Sequence, residues 1–369
     1  KRLVVIAGVF LVLAGGSGIV QSSQGSRRLE NSIPILSTYP SFPSTREGLP
    51  VGVSPIRRRG PHPLMFAFGR SLRPAPIPTL SPNEKSLSED AIARLHRDAL
   101  VWDCHNDLAY RVLYEGLDIG NRLPGGQVDI PRMREGGMDV QVVALYIVNY
   151  AYPVKGASSR QTFQLLEAMA RNIEKNSAAV ELARTGSDIE RIAAAGKIAM
   201  PLAIEGGHAI EDSLELLRTF HGRGVSSMTL THNVSHGWAD AAAGEVRWHG
   251  LNDLGRKVVA EMNALGMVVD VSHVSDETFW DVIETTKDPV IFSHSGCRAI
   301  NPHRRNVSDD MLRALAKNGG VIGVVFELNF LSQAYAKATQ ELRAVGRPIL
   351  QKVPVIEDLD LRIAVEHLD

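Results

Sequence analysis

Apolar and polar positions follow two regular patterns along most of this chain. From residue 87 onward, short runs that are apolar throughout alternate with stretches in which apolar residues recur at helical spacing. Runs of the first kind are typical of parallel strands buried on both faces, and their alternation with amphipathic helices predicts repeated βα units. The predicted strands cover residues 100–104, 140–147, 199–205, 227–231, 267–271, 290–293 and 321–326.

Capping signals support the helices between these strands. Gly266 follows an amphipathic stretch, and glycine commonly ends helices because it adopts left-handed backbone angles. Ser275 and Ser308 each precede acidic residues, as at helix N-termini. The pattern predicts an α/β protein of the TIM-type (β/α)8 barrel class. Because only seven strands precede a helix-like segment from about Ile356 to Asp369, we expect C-terminal truncation to have removed the eighth strand.

The pattern divides the chain into three parts. Residues 1–20 begin with two basic residues and continue as an apolar run, which predicts a signal peptide or a membrane anchor. The expected location is therefore exported: periplasmic, secreted or membrane-tethered on the outer face. Residues 21–83 are rich in Ser, Pro, Arg and Gly, which predicts a disordered linker. Residues 84–369 form the predicted barrel domain, incomplete at its C-terminus.

Charge and cysteine content exclude some classes of function. The 40 Lys and Arg residues nearly balance the 41 Asp and Glu residues, so no long-range field favours nucleic acid. The hydrophobic fraction of 44% can form a sizeable core. The two cysteines, Cys104 and Cys297, do not form a disulfide framework, and we expect both to be buried free thiols.

Polar side chains follow the predicted strands at the end where barrel enzymes have their active sites. His105 and Asp107 follow the first strand, and residues two apart in extended chain point the same way, so this pair can bind one cation. The alternative is a polar turn after the strand that binds no metal, because such a turn has the same sequence pattern. Glu205 ends the third strand, where a carboxylate is costly to bury unless it is paired or bound to metal. A capping or salt-bridged glutamate is the alternative.

Three histidines follow the next strands. His232 follows the fourth strand, where an imidazole can bind or polarise a substrate oxygen. The fifth and sixth strands both end in Ser-His, at His273 and His294, and packing alone does not explain this repetition. Neutral imidazoles with a carboxylate are typical zinc ligands, and further oxygen ligands on a second ion would make a dinuclear site.

Further polar residues lie near the same end of the predicted barrel. Arg304 and Arg305 belong to a basic loop in which an arginine fork can bind a carboxylate, although pairing with acids on neighbouring helices is the alternative. Only supporting roles are assigned to His208, to His236 and to residues 238–240. Of these, residues 238–240 look exposed in the sequence.

These motifs resemble the membrane (renal-type) dipeptidase family, zinc peptidases of the metal-dependent amidohydrolase barrel superfamily. The resemblance covers roughly residues 91–369. Its motifs are Asp103-Cys104-His105-Asn106-Asp107-Leu108, Ile204-Glu205-Gly206-Gly207-His208, Leu230-Thr231-His232, Trp238-Ala239-Asp240, Val271-Ser272-His273-Val274-Ser275, Ser293-His294-Ser295 and Pro302-His303-Arg304-Arg305-Asn306. The resemblance implies a dipeptidase with two Zn²⁺ per chain, in which a hydroxide that bridges the ions attacks the peptide bond.

The resemblance also implies residue roles. The implied metal ligands are His105 and Asp107 for one zinc, His273 and His294 for the other, and Glu205 for both. Catalysis would involve Glu205 and His232, while His232 and Arg305 would contact the substrate at its tetrahedral oxygen and its terminal carboxylate. The family also has an aspartate on the eighth strand that helps to protonate the leaving amine. No residue of this chain matches it, because Asp369 precedes the expected strand.

Two other functions stay open at this point. Another amidohydrolase activity, on N-acyl amino acids, lactams or lactones, would use the same barrel and metals with a different pocket. A catalytically inactive metal-binding homologue would bind ligands without turnover, as the unmatched aspartate suggests. The expected partners are a dipeptide substrate and, through the N-terminal segment, a membrane, with no nucleic acid and with a homodimer left open.

Overall fold

The computed structural model describes residues 3–6, 89–149, 152 and 154–344. In these residues ten strands, all paired in parallel, form one sheet with helices around it. The strands are β1 (Leu3–Ile6), β2 (Leu100–Asn106), β3 (Val140–Tyr146), β4 (Val180–Leu182), β5 (Ile198–Met200), β6 (Leu202–Glu205), β7 (Val225–Thr229), β8 (Val268–Asp270), β9 (Ile291–Ser295) and β10 (Val321–Val324).

Helices connect most of these strands, and a 3-10 turn at Gly207–Ile210 follows β6. The helices are α1 (Glu89–Asp98), α2 (Leu108–Glu115), α3 (Ile130–Glu135), α4 (Ala157–Lys175), α5 (Gly186–Ala194), α6 (Leu214–Gly222), α7 (Asp253–Leu265), α8 (Asp276–Thr285), α9 (Asp309–Asn318), α10 (Leu328–Leu331) and α11 (Gln333–Ala344). No helix in the described part of the chain is both long enough and apolar enough to cross a bilayer.

The sheet curls until its two end strands contact each other. The order of neighbouring strands is β1-β2-β3-β6-β7-β8-β9-β10, while β4 pairs with β5 and β5 pairs with β3 beside this path. Eight parallel strands in sequence order, surrounded by helices, are the arrangement of a (β/α)8 barrel. The predicted fold class is therefore confirmed.

All seven predicted strands are present, with small shifts at their ends. The pattern predicted one strand over residues 199–205, but the structure has two, β5 and β6. Pro201 separates them because it has no N–H to donate to a neighbouring strand. Two strands were not predicted. The short β4 pairs with β5, and β1 lies in the segment predicted to be a leader, where Leu3 pairs with Leu100 of β2.

Several predictions concern residues that the structure does not describe. The linker at residues 21–83, the helix expected from about Ile356 and the position of Asp369 lie outside the described residues. In the described residues β1 takes the eighth place in the strand order. The expected C-terminal truncation and the exported location stay predictions.

Capping residues end and begin the helices as predicted. Gly266 follows α7 with a φ of +73°, in the left-handed region that glycine tolerates. The Ser275 side chain accepts a hydrogen bond from the backbone N–H of Thr278 at the start of α8. Ser308 does the same for Met311 at the start of α9, and each such N-cap contributes about 1 kcal/mol.

Apolar side chains from the strands pack on both sides of the sheet. Trp102, Cys104 and Ala203 line a cavity inside the ring of strands. On the outer side, helix residues complete the larger cluster, and Phe279 of α8 is fully buried there. Burial of this one side chain stabilises the fold by about 1.5–3 kcal/mol. Neither cysteine forms a disulfide. Cys104 is buried as predicted, whereas the predicted burial of Cys297 is wrong, because this side chain is partly exposed.

Candidate metal centre

Glu205 lies at the centre of a group of imidazoles at the C-terminal ends of the strands. Its side chain is 1% exposed and faces the barrel interior, because residues two apart on β6 share a side and Ala203 lines the inner cavity. Imidazole Nε2 atoms surround the carboxylate, with His105 at 3.4 Å, His273 at 3.1 Å and His294 at 3.6 Å. Three of the histidines predicted to bind metal thus surround Glu205, which is itself a predicted ligand.

Two further predicted residues lie at the edge of this group. The Oδ1 atom of Asp107 is 3.6 Å from His105 Nε2, and the Nε2 atom of His232 is 4.0 Å from Glu205 Oε1. Donor atoms within 4.8 Å of one another fall into two overlapping sets, His105, Glu205 and His294 in one and Glu205, His232 and His273 in the other. Which histidine binds which cation stays a prediction.

Irregular backbone directs two of these side chains into the site. The pairing of β2 with β3 shifts register between Asp103 and Asn106, and irregular pairing of this kind re-aims side chains. As a result the consecutive residues Cys104 and His105 both line the inner cavity. His273 has a φ of +68°, a conformation that few non-glycine residues adopt and that is frequent at functional sites.

The two glycines after Glu205 allow other groups to approach closely. Gly206 has a φ of +108°, which side chains rarely tolerate. A Cβ atom at Gly207 would meet the carbonyl oxygen of Leu230 and the indole ring of Trp238, neither of which can move freely. The chain therefore needs glycine at both positions to turn away from the site.

Burial keeps three of the imidazoles neutral. Loss of solvent lowers the pKa of His232, His273 and His294 well below the ordinary value, and the positive charge of Arg305 lowers each of them further. A neutral imidazole has a lone pair on one ring nitrogen, which is the form that binds metal.

His105 and Glu205 behave differently because they face each other. Burial lowers the pKa of His105, but the Glu205 and Asp107 carboxylates outweigh this effect and raise its pKa well above the ordinary value. Burial also raises the pKa of Glu205. The Glu205 and Asp107 carboxylates therefore favour positive charge at His105, and a divalent cation would supply such charge in place of the protons that its ligands release. The donor set therefore fits a cation.

Two asparagines fix the rings of His232 and His273. Asn233 contacts both, with Oδ1 at 3.1 Å from His273 Nδ1 and Nδ2 at 3.4 Å from His232 Nε2. Asn149 Oδ1 lies 3.0 Å from His232 Nδ1. One assignment satisfies all three contacts: each histidine donates from Nδ1 and keeps its lone pair on Nε2. Both Nε2 atoms lie near Glu205 Oε1, at 4.0 Å for His232 and 3.1 Å for His273. Neither asparagine was predicted, although Asn233 directly follows His232.

Arg305 adds a buried positive charge that has no hydrogen-bond partner in the described part of the chain. The residue is 6% exposed, and its three guanidinium nitrogens have no hydrogen-bond partner among the described residues. Its Cζ atom lies 5.4 Å from the centre of the Phe330 ring. Burial lowers the pKa of Arg305 to about 10, against the raising effect of Glu205 and Asp270, so the group stays charged at neutral pH. Because buried charges are normally paired, this guanidinium fits an anionic group of a ligand.

The supporting residues have structural positions. The predicted exposure of residues 238–240 is wrong, since Trp238 is fully buried and the Asp240 carboxylate accepts hydrogen bonds from the backbone N–H groups of residues 247 and 248, both at 3.0 Å. Asp240 thereby orders the loop before α7. Burial lowers the pKa of His208 to about 4 and that of His236 to about 3, so both stay neutral.

Fold and site together define an α/β barrel protein in which a buried carboxylate and several imidazoles form a centre suited to divalent cations. A family model described as membrane dipeptidase (Peptidase family M19) matches residues 89–368. The chain therefore belongs to the membrane dipeptidase family.

Individual relatives agree with this assignment. The chain is 34% identical over 267 residues to an uncharacterized dipeptidase from Schizosaccharomyces pombe, covering 67% of this chain and 64% of the relative. It is 35% identical over 252 residues to the dipeptidase tcpJ from Claviceps purpurea, covering 65% and 59%. The chain thus spans less than two thirds of the length of these curated relatives.

Solved structures show the same fold. An amidohydrolase from Pseudomonas aeruginosa is 28% identical, with a TM-score of 0.53 and coverage of 69% of this chain and 72% of that one. A probable dipeptidase, PvdM, from Pseudomonas aeruginosa is 22% identical, with a TM-score of 0.62 and coverage of 75% and 76%.

Proposed function

We propose that this chain is a two-zinc dipeptidase that hydrolyses the peptide bond of dipeptides. The observation that carries the proposal is the buried Glu205 carboxylate, which has three imidazole nitrogens within 3.1–3.6 Å. Such a set of oxygen and nitrogen donors is a normal environment for zinc. The membership of the membrane dipeptidase family and the relatives named as dipeptidases support the reaction.

The same residues define the proposed metal ligands. We assign His105 and Asp107 to one zinc, His273 and His294 to the other, and Glu205 to both. When bound, two zinc ions polarise a carbonyl group and lower the pKa of water into the neutral range, so that no serine or cysteine nucleophile is required.

Substrate recognition is assigned to Arg305 and His232. A guanidinium donates two parallel hydrogen bonds to a carboxylate, and the unpaired Arg305 nitrogens can do this for the free C-terminus of a dipeptide. Asn149 orients His232 so that its Nε2 atom faces the Glu205 carboxylate. When protonated on Nε2, the imidazole can donate a hydrogen bond from there to the carbonyl oxygen under attack.

We expect the zinc-loaded full chain to hydrolyse Ala-Ala with a kcat/KM at least about 10-fold above that for Ala-Ala amide. The amide lacks the charge that Arg305 recognises, and a hydrogen bond to a charged group contributes about 1.5–3 kcal/mol, where 1.4 kcal/mol corresponds to about tenfold. The measurement is the rate of hydrolysis across a panel of compounds. It is recorded as amine release for dipeptides, dipeptide amides, N-acyl amino acids and lactams, and as acid release for lactones.

The panel also separates the alternatives. A higher kcat/KM for N-acyl amino acids, lactams or lactones than for dipeptides would replace the dipeptidase proposal with another amidohydrolase activity. Bound zinc and bound dipeptide without turnover of any compound would indicate a catalytically inactive homologue.

A further inference from the structure

We propose that Asp270 and Ser293 fix the tautomer of His294 and thereby set the affinity of the site for one of its cations. The inference rests on the proposed zinc function, because it concerns how this chain prepares one of the ligands. None of the three residues is more than 3% exposed, so solvent does not compete for their hydrogen bonds.

The Asp270 carboxylate, at the end of β8, accepts four hydrogen bonds. Its Oδ1 atom accepts from the backbone N–H groups of Ser272 at 2.9 Å and Ser293 at 3.0 Å. Its Oδ2 atom accepts from the hydroxyl groups of Thr229 and Ser293, both at 2.6 Å. An ionised carboxylate can only accept, so the Ser293 hydroxyl proton points at Asp270.

The position of this proton determines the tautomer of the neighbouring histidine. Ser293 Oγ lies 2.7 Å from His294 Nδ1 and 3.3 Å from Ser272 Oγ. Because Ser293 has one proton and donates it to Asp270 over the shorter, charge-assisted contact, its oxygen must accept from His294 Nδ1. His294 therefore has its proton on Nδ1 and its lone pair on Nε2.

The lone pair faces the proposed metal centre. His294 Nε2 lies 3.6 Å from Glu205 Oε1 and 2.9 Å from His273 Nε2. His273 also keeps its lone pair on Nε2, because Asn233 accepts from its Nδ1. Two acceptors at 2.9 Å repel each other unless a positive charge lies close to both. These hydrogen bonds from His294 through Ser293 to Asp270, called here the Asp270–Ser293 relay, thus hold the His294 lone pair on Nε2, toward the proposed metal centre.

The Asp270→Asn variant tests this relay. Its amide N–H can donate to Ser293 Oγ, so the hydroxyl can turn its proton to His294 Nδ1 and shift the ring proton to Nε2. We expect the affinity for one zinc ion to fall about 10–100-fold, as for other partners of metal ligands. The other ion, assigned to His105 and Asp107, should stay within a few-fold of the wild-type affinity. Both affinities are measured with zinc alone against a competing chelator.

A second readout does not involve zinc. Long-range ¹H–¹⁵N correlation spectra of the zinc-free chain should show His294 protonated on Nδ1 in the wild type and on Nε2 in Asp270→Asn. Ser293→Ala removes the same relay and should reproduce the loss of zinc affinity. Thr229→Val is the matched control, because it removes another hydrogen bond to the same Asp270 oxygen but leaves Ser293 in place, and we expect it to keep wild-type zinc affinity.

The outcomes separate this inference from the proposed function. Wild-type affinity for both ions in folded Asp270→Asn and Ser293→Ala, or a zinc-free wild type with the His294 proton on Nε2, would overturn the relay. An equal loss of zinc affinity in Thr229→Val would show that the Asp270 carboxylate has only a structural role. A wild type that binds no zinc while His294 keeps its proton on Nδ1 would contradict the proposed function instead. If Asp270→Asn does not fold, the zinc affinity of Ser293→Ala and the position of the His294 proton in the wild-type spectrum test the relay.

Discussion

Replacing Glu205 with glutamine is expected to lower zinc affinity by more than about 100-fold and kcat/KM for dipeptides by about three orders of magnitude. Glutamine keeps the shape of the side chain but loses the charge that faces His105, His273 and His294. Partners of ligands alone change affinity 10–100-fold, and a Lewis-acidic cation is worth several kcal/mol in the transition state. Zinc per chain and dipeptide hydrolysis are measured on the same samples.

Glu115→Gln on α2 is the control, because Glu115 pairs with Arg111 on the helix surface away from the imidazoles. It should keep the zinc content and the activity of the wild type. A Glu205→Gln variant that binds zinc as tightly as the wild type would exclude Glu205 as a metal ligand.

Replacing Arg305 with methionine is expected to raise KM for dipeptides about 10–100-fold and also to stabilise the fold by about 1 kcal/mol or more. The guanidinium is buried and has no hydrogen-bond partner in the described chain, so its removal relieves a desolvated charge. The same removal costs the charged contact with the substrate carboxylate. The measurements are KM for Ala-Ala and for its amide, and the free energy of unfolding in urea.

The exposed neighbour Arg304 provides the matched control, since Arg304→Met removes the same charge from the same loop. This variant should change neither KM nor stability appreciably. An equal rise in KM for the dipeptide and its amide in Arg305→Met would show that Arg305 does not recognise the carboxylate.

The sequence was sufficient to predict the repeating part of the fold. Continuous apolar runs with helix caps such as Ser275, Ser308 and Gly266 determine local structure, and the strands and caps lie where the pattern predicted them. The short β4 was missed because three residues provide too little pattern. The strand β1 was missed because an apolar run after basic residues is typical of a leader, and pairing with β2 depends on contacts across a long stretch of sequence.

The site was predictable to the extent that its residues follow strands. His105, Glu205, His273 and His294 each end or follow a strand, and the geometry of a barrel brings such positions together. The asparagine contacts to the rings could not be predicted, since Asn149 reaches His232 across 83 residues and an amide gives no local signal.

The position of the Asp270 carboxylate was equally unpredictable. In the sequence it lies within an apolar segment, and the pattern does not show whether its carboxylate faces a hydroxyl group or solvent. Only the fold brings it to Ser293, which is 23 residues away in the chain.

Addition of zinc to the metal-free wild-type chain, with bound ions counted while dipeptide hydrolysis is recorded, tests the central claim most directly. The claim is that the side chains around Glu205 form a two-zinc hydrolytic centre. We predict two ions bound per folded chain, with hydrolysis of Ala-Ala appearing as both sites fill. A folded chain that binds no zinc, or that hydrolyses dipeptides equally well without any divalent cation, would contradict the claim.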